Sequence, residues 1–440
     1  MKTVYIKTLG CKVNQYESDA IAAGLEQKGF TRTPEGRSCD VCIINTCAVT
    51  SKAAMQSRQA VRKLARDNPD AKIIVTGCHA QTDPDTIKKT DPRLEIVCHR
   101  DKTALADHVA RGPSALPMEF KPVDHSAANR FPSFSGPVFG SMTRAYLKIQ
   151  DGCDAFCTYC IVPYARGSSV SMPEQMVHAH LKELDRAGFR EVILTGINAG
   201  RYGRDLNPPT RLTALLETIQ REKPVHRIRL SSIEPNEIDD RLLDLAGPTS
   251  VLCDHFHLPL QSGDDTILKK MKRPYTAALF TETVRRIHDR LPFAGIGVDV
   301  LAGFPTETEQ QFEKTLSLIE QLPVSYLHVF PFSPRKGTPA FHLKPRVPDA
   351  VITERCRALR SLGHKKQAAF IHANRGRQLE AVVQKRSDDR KGRLIAVTAN
   401  YLNVSVKEDT ALKGKVVDII YDHWDRNLNI SGEVCHGKNL

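Results

Sequence analysis

The sequence predicts an α/β protein in three parts: a small parallel α/β domain, a partial (β/α) barrel and a C-terminal all-β barrel. Residues 1–111 alternate β-branched runs with helical patterns, and the alternation returns over residues 144–374. From residue 375 to residue 440, strand-like runs follow one another without helices. Strands separated by helices are typical of parallel sheets, whereas successive short strands are typical of antiparallel sheets and barrels.

The first domain, residues 1–111, contains four predicted strands: VYIKTLG, VCIINT, KIIVTG and LEIV. Predicted helices lie near Ser18 to Lys28 and near Ala53 to Arg66. This order favours a small parallel sheet. Residues 112–143 are rich in proline, glycine and serine, which interrupt any periodicity, and we therefore predict a linker there. The prolines are Pro113, Pro117, Pro122, Pro132 and Pro137.

Six strand-like runs separated by helical stretches predict a complete or incomplete (β/α) barrel over residues 144–374. The runs are AYLKIQ, EVILTG, RIRLSS, HFHLPL, GVDVLAG and YLHVFPF. A helical connector at about Ala350 to Ala373 leads to five further runs: LEAVVQK, RLIAVTA, LNVSVK, KVVDIIY and NLNISG. This C-terminal pattern predicts a compact β-barrel of the kind that grips RNA.

The charge balance favours a polyanionic partner. The 440 residues carry 63 Lys and Arg against 50 Asp and Glu, a net charge of +13. Between Lys344 and Arg393, fourteen basic residues stand against five acidic ones. Such a cluster is typical of a nucleic-acid footprint, and a solvated helix face is the alternative.

Cysteine usage and the N-terminus predict a cytoplasmic protein with no membrane partner. The N-terminal residues lack an apolar stretch of signal-peptide length, and no run approaches the ~18 apolar residues that span a bilayer. Thiols stay reduced in the cytosol, so the 12 cysteines indicate metal binding or catalysis more than disulfides.

Cys153, Cys157 and Cys160 stand in the spacing C-x3-C-x2-C directly after the first strand of the predicted barrel. Three thiolates saturate three irons of a 4Fe-4S cube and leave the fourth iron open for a chelating ligand. The alternative is structural zinc, which needs a fourth protein ligand that the neighbouring sequence does not supply. We predict that these three cysteines hold a catalytic cluster.

This stretch, DGCDAFCTYCIVP, resembles the radical S-adenosylmethionine (SAM) superfamily. The resemblance implies that SAM binds the open iron and is split to a 5'-deoxyadenosyl radical, and that the ring of Tyr159 lies near the adenine. Further SAM contacts are expected at the carboxyl ends of later strands, although each candidate has turn chemistry as its alternative. The candidates are Gly196, Glu234, Gln261 and Pro305.

Cys11, Cys47 and Cys78 each follow one of the first three predicted strands. The carboxyl ends of parallel strands share one edge of the sheet, so the three side chains can converge there and form a second three-thiolate site. Other cysteines compete for this assignment. Cys98 also ends a strand, a Cys39–Cys42 pair lies nearby, and a free cysteine is by default a small buried hydrophobe.

The segments LGCKVNQYES, INTCAVT, VTGCHAQ and QDGCDAFCTYCIVPYARG resemble the methylthiotransferase family across essentially the whole chain. The resemblance implies an auxiliary-cluster domain, a radical SAM core and a terminal TRAM-like RNA-binding domain. It assigns Cys11, Cys47 and Cys78 to a sulfur-delivering auxiliary cluster, so the implied cofactors are two 4Fe-4S clusters and SAM. The remaining cysteines match no ligand position: Cys39, Cys42, Cys98, Cys253, Cys356 and Cys435.

The segments CKVNQ, YLKIQDGC and LQSGDDTILKKMKRPYT most resemble the branch that methylthiolates C2 of N6-threonylcarbamoyladenosine beside the tRNA anticodon. The implied partners are the tRNA anticodon stem-loop and an electron donor such as flavodoxin or ferredoxin. Sister branches act on isopentenyladenosine in tRNA and on a ribosomal-protein aspartate, and a non-catalytic iron-sulfur RNA-binding protein is a further alternative. The chain departs from the family pattern at Ser168 to Pro173, Ala199 and Arg201.

Overall fold

The computed structural model describes residues 2–112, 118–125, 130–134, 142–387 and 392–435. Within the predicted linker, residues 118–125 and 130–134 form neither helix nor strand, whereas Pro113, Pro117 and Pro137 lie outside the described residues. Among the residues that are described, no helix is long and apolar enough to cross a bilayer.

The N-terminal domain is a parallel sheet with helices on its faces, as the sequence predicts, and the short strand β2 adds a fifth strand to the four predicted ones. The strands pair in the order β2-β1-β3-β4-β5. The elements are β1 Thr3–Thr8, α1 Lys12–Glu26, β2 Thr31–Arg32, β3 Val41–Thr46, α2 Ser51–Asp67, β4 Lys72–Gly77, α3 Cys78–Thr82, α4 Pro84–Lys88, β5 Glu95–Ile96 and α5 Leu105–Ala110.

The first helix begins earlier than its sequence pattern indicates. The predicted start near Ser18 is wrong, because α1 begins at Lys12, directly after Cys11. Its first turns bury polar side chains, Asn14 and Glu17 among them, against the next domain. A buried polar face lacks the apolar period by which an amphipathic helix is identified.

The central domain is an incomplete barrel of six main strands, which confirms the predicted architecture. Strands β10-β9-β6 and β11-β12-β13 form two three-stranded sheets, joined by a bridge between Ile228 and Leu252. The elements are β6 Ala145–Lys148, β7 Gln150–Asp151, α6 Val162–Arg166, β8 Val170–Ser171, α7 Glu174–Arg186, β9 Glu191–Thr195, α8 Leu212–Glu222, β10 Arg227–Leu230, α9 Asp240–Asp244, β11 His255–Gln261, α10 Asp265–Lys270, α11 Ala277–Arg290, β12 Gly295–Ala302, α12 Glu309–Gln321, β13 Tyr326–Pro331 and α13 Asp349–Ala373.

The barrel is open between its edge strands β6 and β13. Helix α1 of the N-terminal domain packs beside β6, where Tyr16 and Ala20 join the same apolar cluster as Ala145 and Leu147. Because parallel strands carry their sites at the carboxyl ends, this arrangement brings the first helix of one domain beside the opening of the other.

The C-terminal domain is a closed five-stranded barrel with its own apolar core. Its strands are β14 Leu379–Ser387, β15 Arg393–Thr398, β16 Asn403–Lys407, β17 Val416–Trp424 and β18 Ile430–Val434. Buried Arg227 and Arg229 of β10 donate hydrogen bonds to the backbone carbonyls of Val397, Thr398 and Ala399 at 2.7–2.9 Å. The small barrel is therefore fastened to the base of the large one.

Candidate active site

The first cysteine triad lies in the loop between β7 and α6, at the carboxyl end of the barrel. Cys153 N–H donates to the carbonyl of Gly167 at 2.9 Å, and Cys160 N–H donates to the carbonyl of Cys157 at 2.9 Å. These bonds fold the loop back on itself, so that residues seven apart in sequence share one site. Burial, with smaller contributions from the neighbouring Cys157 and Cys153, raises the pKa of Cys160 to about 12.

A guanidinium that the sequence analysis did not single out contacts this triad. Arg273 donates a hydrogen bond to the sulfur of Cys157 at 3.2 Å and forms an ion pair with Glu234. Arg273 also stacks over the ring of Tyr275 at 4.9 Å. A charged donor to a ligand sulfur stabilises the thiolate form, which is the form that binds iron. Arg273 lies within the KKMKRPYT segment that carried the family resemblance, and this was the available signal.

The structure brings some of the predicted SAM-binding residues to the triad. Arg273 connects Glu234 to Cys157, and Tyr159 is partly buried and packs against the apolar cluster that includes Leu301 and Phe304. The side chain of Gln150 joins the Gly196 turn to the cluster loop, since it accepts from Asn198 N–H at 2.8 Å and donates to Gly152 at 2.8 Å. Gln261 and Pro305 lie at the ends of β11 and β12, and their contact with SAM stays a prediction.

Residues that depart from the family pattern lie at the same site. Ser169 accepts a hydrogen bond from Gln150 at 2.9 Å, and Arg201 lies 3.6 Å from the carboxylate of Glu237. Burial and the neighbouring Glu234 raise the pKa of Glu237 to about 7. These departures thus keep polar and charged contacts near the cluster loop.

The second triad forms at the carboxyl edge of the N-terminal sheet, where the strand order predicts it. Cys11 follows β1 and is the N-cap of α1, Cys47 follows β3, and Cys78 follows β4 and begins α3. Gly10 has φ +101° and lies so close to Cys47 that a Cβ there would stand 2.8 Å from its sulfur. Only glycine permits this approach, and it brings the Cys11 loop against Cys47.

Polar contacts and electrostatics also join the three loops. Asn14 donates to the carbonyls of Leu9 and Thr46 at 2.8 and 3.1 Å, and so ties the Cys11 loop to the Cys47 loop. Burial, with smaller contributions from the neighbouring Cys78 and Cys11, raises the pKa of Cys47 to about 11. Each thiol therefore lies within the field of the others.

Each cysteine triad supplies three sulfur donors, which is the number that leaves one iron of a 4Fe-4S cube open. Among the described residues, two other groups of three have all their ligand atoms within 4.8 Å of one another: His257 with Asp299 and His328, and Glu17 with His99 and Asp151. Both groups offer imidazole and carboxylate donors and no thiol.

One buried apolar cluster contains residues from the surroundings of both triads. Cys78 and the neighbouring Ala48 pack in one buried cluster with Ile161 and Ala165, which follow Cys160.

A network of buried charged side chains also joins the two domains. Glu17 of α1 contacts Lys102 at 2.6 Å, Arg166 at 2.9 Å and Lys148 at 3.3 Å, and all four side chains are buried.

The network continues into the radical core. Asp151 contacts Lys148 at 2.7 Å and Arg166 at 2.8 Å, and Arg166 also donates to Asn14 at 2.6 Å. Burial alone would raise the pKa of Glu17, but Arg166, Lys102 and Lys148 hold it well below its usual value. The Glu17 carboxylate therefore stays charged, and its ion pairs connect α1, which follows Cys11, to Arg166, which follows Cys160.

Comparison with known proteins agrees with this geometry. Residues 3–99 match the family described as "Uncharacterized protein family UPF0004", and residues 147–319 match the radical SAM superfamily. The chain is 35% identical to the threonylcarbamoyladenosine tRNA methylthiotransferase MtaB of Bacillus subtilis, over 95% of this chain and 93% of that protein. It is 37% identical to the protein of that name from Rickettsia prowazekii, over 92% of each chain. The chain belongs to the radical SAM methylthiotransferase family.

Other similarities are more distant. The tRNA-2-methylthio-N(6)-dimethylallyladenosine synthase of Clostridium botulinum is 31% identical over 94% of this chain and 93% of that protein. Among solved structures, the methyltransferase TsrM from Kitasatospora setae superposes with a TM-score of 0.57 at 16% identity, over 77% of this chain and 74% of that chain. This second similarity supports the fold alone.

Membership of the family makes this methylthiotransferase a radical SAM enzyme with 4Fe-4S clusters and SAM as cofactors. The two cysteine triads suit the clusters in donor type and number.

Proposed function

We propose that this chain adds a methylthio group to C2 of N6-threonylcarbamoyladenosine next to the tRNA anticodon. The proposal rests on the packing of the two triads' surroundings against each other. Cys78 of the second triad and the nearby Ala48 lie in one buried cluster with Ile161 and Ala165, which follow Cys160 of the first triad. A reaction that needs both a radical and a sulfur requires two such sites within reach of one base.

The substrate branch is proposed on the relatives' names. The proteins from Bacillus subtilis and Rickettsia prowazekii carry the name threonylcarbamoyladenosine tRNA methylthiotransferase, at 35% and 37% identity. The relative named for dimethylallyladenosine is 31% identical, and its substrate is the second candidate.

Each group of residues has a distinct task in this proposal. Cys153, Cys157 and Cys160 hold the catalytic cluster, and Cys11, Cys47 and Cys78 hold the auxiliary one. Tyr159, Gly196, Glu234, Gln261 and Pro305 are the proposed SAM contacts. When bound, the clusters and SAM supply the adenosyl radical, the sulfur and the methyl group. Arg273 stabilises the Cys157 thiolate, and the Glu17 network holds the two sites in register.

The basic residues between Lys344 and Arg393 have two different roles in this proposal: some stabilise the fold, and others contact RNA. Arg355 is buried against Glu307, and Lys366 donates to the carbonyls that end α12. Arg357, Arg360 and Lys365 are exposed on α13, and we propose that they contact tRNA phosphates. We also propose a cytoplasmic location, with a flavodoxin or ferredoxin as electron donor.

Nucleoside analysis tests the proposed substrate. In a strain that lacks the corresponding enzyme, the chain should restore the methylthio form of threonylcarbamoyladenosine, as detected by mass spectrometry of tRNA hydrolysates. Restoration of methylthio-isopentenyladenosine instead would favour the second candidate. If the reduced protein produces no 5'-deoxyadenosine from SAM, a non-catalytic role replaces both.

Iron content tests the proposed ligands. The Cys78→Ala and Cys160→Ala proteins should each retain about four irons, against about eight in the parent, because each cube holds four. Cys98→Ala is the matched control, since Cys98 is also buried after a strand of the same sheet and should be dispensable. Full iron content in either ligand variant would contradict the assignment.

A further inference from the structure

Three aromatic side chains alternate along the edge strand β13 and face the interior of the partial barrel. They are Tyr326, His328 and Phe330, and side chains two residues apart lie on the same face of a strand. The ring centroids of successive members stand 5.3 Å and 6.4 Å apart. Leu327 and Val329, between them, pack on the opposite face, in the core cluster that also contains residues of α13. The strand thus presents a row of rings to the barrel interior.

The amino end and the middle of this row are held by neighbouring side chains. Tyr326 stacks on His255 at a centroid distance of 6.1 Å, and its hydroxyl contacts the imidazole of His255 at 2.7 Å. Tyr401 of the C-terminal barrel lies 6.1 Å from the same ring. His328 contacts the carboxylate of Asp299 at 3.4 Å. These contacts fix the first two rings of the row.

The carboxyl end of the row is open. The side chain of His328 is 52% exposed and Phe330 is 42% exposed, although both lie on the inner face of the strand. Among the described residues, Phe330 is the most exposed phenylalanine. The exposure arises because β13 is an edge strand of the incomplete barrel. An exposed ring inside a concave opening is typical of a binding site for a ligand with a flat apolar face.

The end of β13 that carries Phe330 is connected to both cysteine triads. Two residues further on, Phe332 belongs to the apolar cluster against which Tyr159, of the first triad's loop, is packed. The next residue, Ser333, accepts a hydrogen bond from the backbone N–H of Ser51 at 2.7 Å, and the two hydroxyls lie 2.9 Å apart. Ser51 is the first residue of α2, and the loop before it carries a cysteine of the second triad. The open end of the row therefore lies beside both sites.

We propose that the exposed ring of Phe330 stacks on the adenine that receives the methylthio group and holds it between the two triads. This inference rests on the proposed function, in which one base is reached from both sites. Every nucleobase has a flat π-face, and stacking on a protein ring replaces the neighbours that the base loses when it leaves the RNA stack. The edge-to-face contact with His328 orients the Phe330 ring. Phe330 is a substrate-positioning residue.

The test measures binding of anticodon stem-loop RNA to the cluster-loaded protein without SAM, by fluorescence anisotropy under anaerobic conditions. One RNA carries threonylcarbamoyladenosine, and the other is abasic at that position. Phe330→Leu should lower the parent's preference for the modified RNA by about 5- to 150-fold, as expected for the loss of one base–aromatic stack. Because ring and base form a single contact, this variant should bind the abasic RNA within about twofold of the parent. Phe330→Tyr, which keeps a ring, should retain the preference.

Controls separate this inference from the proposed function. Met142→Ala is the matched control, because Met142 is similarly exposed, at 46%, but precedes the amino end of the other edge strand, β6. It should leave both affinities unchanged. Iron content and 5'-deoxyadenosine formation without RNA should match the parent in every variant.

Three results would overturn the assignment of Phe330 to the target base. They are an equal weakening of both RNAs by Phe330→Leu, an unchanged preference in that variant, and slower SAM cleavage without RNA. Failure of the parent to methylthiolate the threonylcarbamoyladenosine RNA, with SAM and a reductant present, overturns the proposed function itself.

Discussion

The buried ion pairs of Glu17 should contribute strongly to the stability of the junction between the first two domains. Replacing Glu17 with glutamine keeps the shape of the side chain and removes its charge. Lys102, Lys148 and Arg166 contact Glu17 at 2.6–3.3 Å, and only Asp151 would then remain to balance them. Removing one partner from a buried ion pair typically costs 3–5 kcal/mol, so we expect a loss of about 3 kcal/mol or more in the free energy of unfolding.

The assay is urea unfolding of anaerobically purified protein, followed by circular dichroism. Glu35→Gln is the matched control, because Glu35 also pairs with a lysine at 2.8 Å but lies half-exposed on the surface. We expect the midpoint of that variant to stay close to the parent's, since exposed pairs contribute little. A loss below about 1 kcal/mol for Glu17→Gln would show that the network does not stabilise the domain junction.

Three further predictions concern acidity, the catalytic triad and RNA binding. Burial, with Arg166 and Lys102 beside it, lowers the pKa of His99 to about 4, whereas the unfolded chain binds that proton near 6.5. Stability should therefore fall by about 3 kcal/mol as the pH drops from 6.5 to about 4, and His99→Gln should flatten this dependence in urea titrations. Arg273→Leu removes the donor to Cys157 and should lower 5'-deoxyadenosine formation about 10- to 100-fold, with normal rates counting against the contact. Replacing exposed Arg357 with alanine should reduce the slope of log affinity for tRNA against log salt by about one, which filter binding at several salt concentrations checks.

The sequence predicted the architecture because its signals are local. The runs VCIINT and EVILT are buried along their whole length, as is typical of strands in parallel sheets that are covered on both faces. The spacing of Cys153, Cys157 and Cys160 likewise lies within one loop. Strand order indicated that Cys11, Cys47 and Cys78 can converge, since each follows a parallel strand, but Cys98 also ends a strand, and the family resemblance was needed to choose among them.

The contacts between domains were not predictable in this way. Glu17 pairs with Arg166 across 149 residues of sequence, and no local pattern marks either side chain as buried. The same holds for Arg273, which lies 116 residues from Cys157. Polar residues on α1 such as Asn14 and Glu17 are buried because a second domain supplies their partners.

The attachment of the C-terminal barrel has a consequence for substrate geometry. Arg227 and Arg229 donate hydrogen bonds to its backbone carbonyls, and Asn400 of the C-terminal barrel donates to the carbonyl of Phe293 in the central domain at 3.0 Å. These bonds hold the C-terminal barrel at a fixed distance from the cysteine-lined opening of the central domain. We expect this fixed distance to limit which nucleotide of an RNA bound by the C-terminal barrel can reach that opening. We therefore predict that position along the RNA, as well as base identity, selects the nucleotide that is modified.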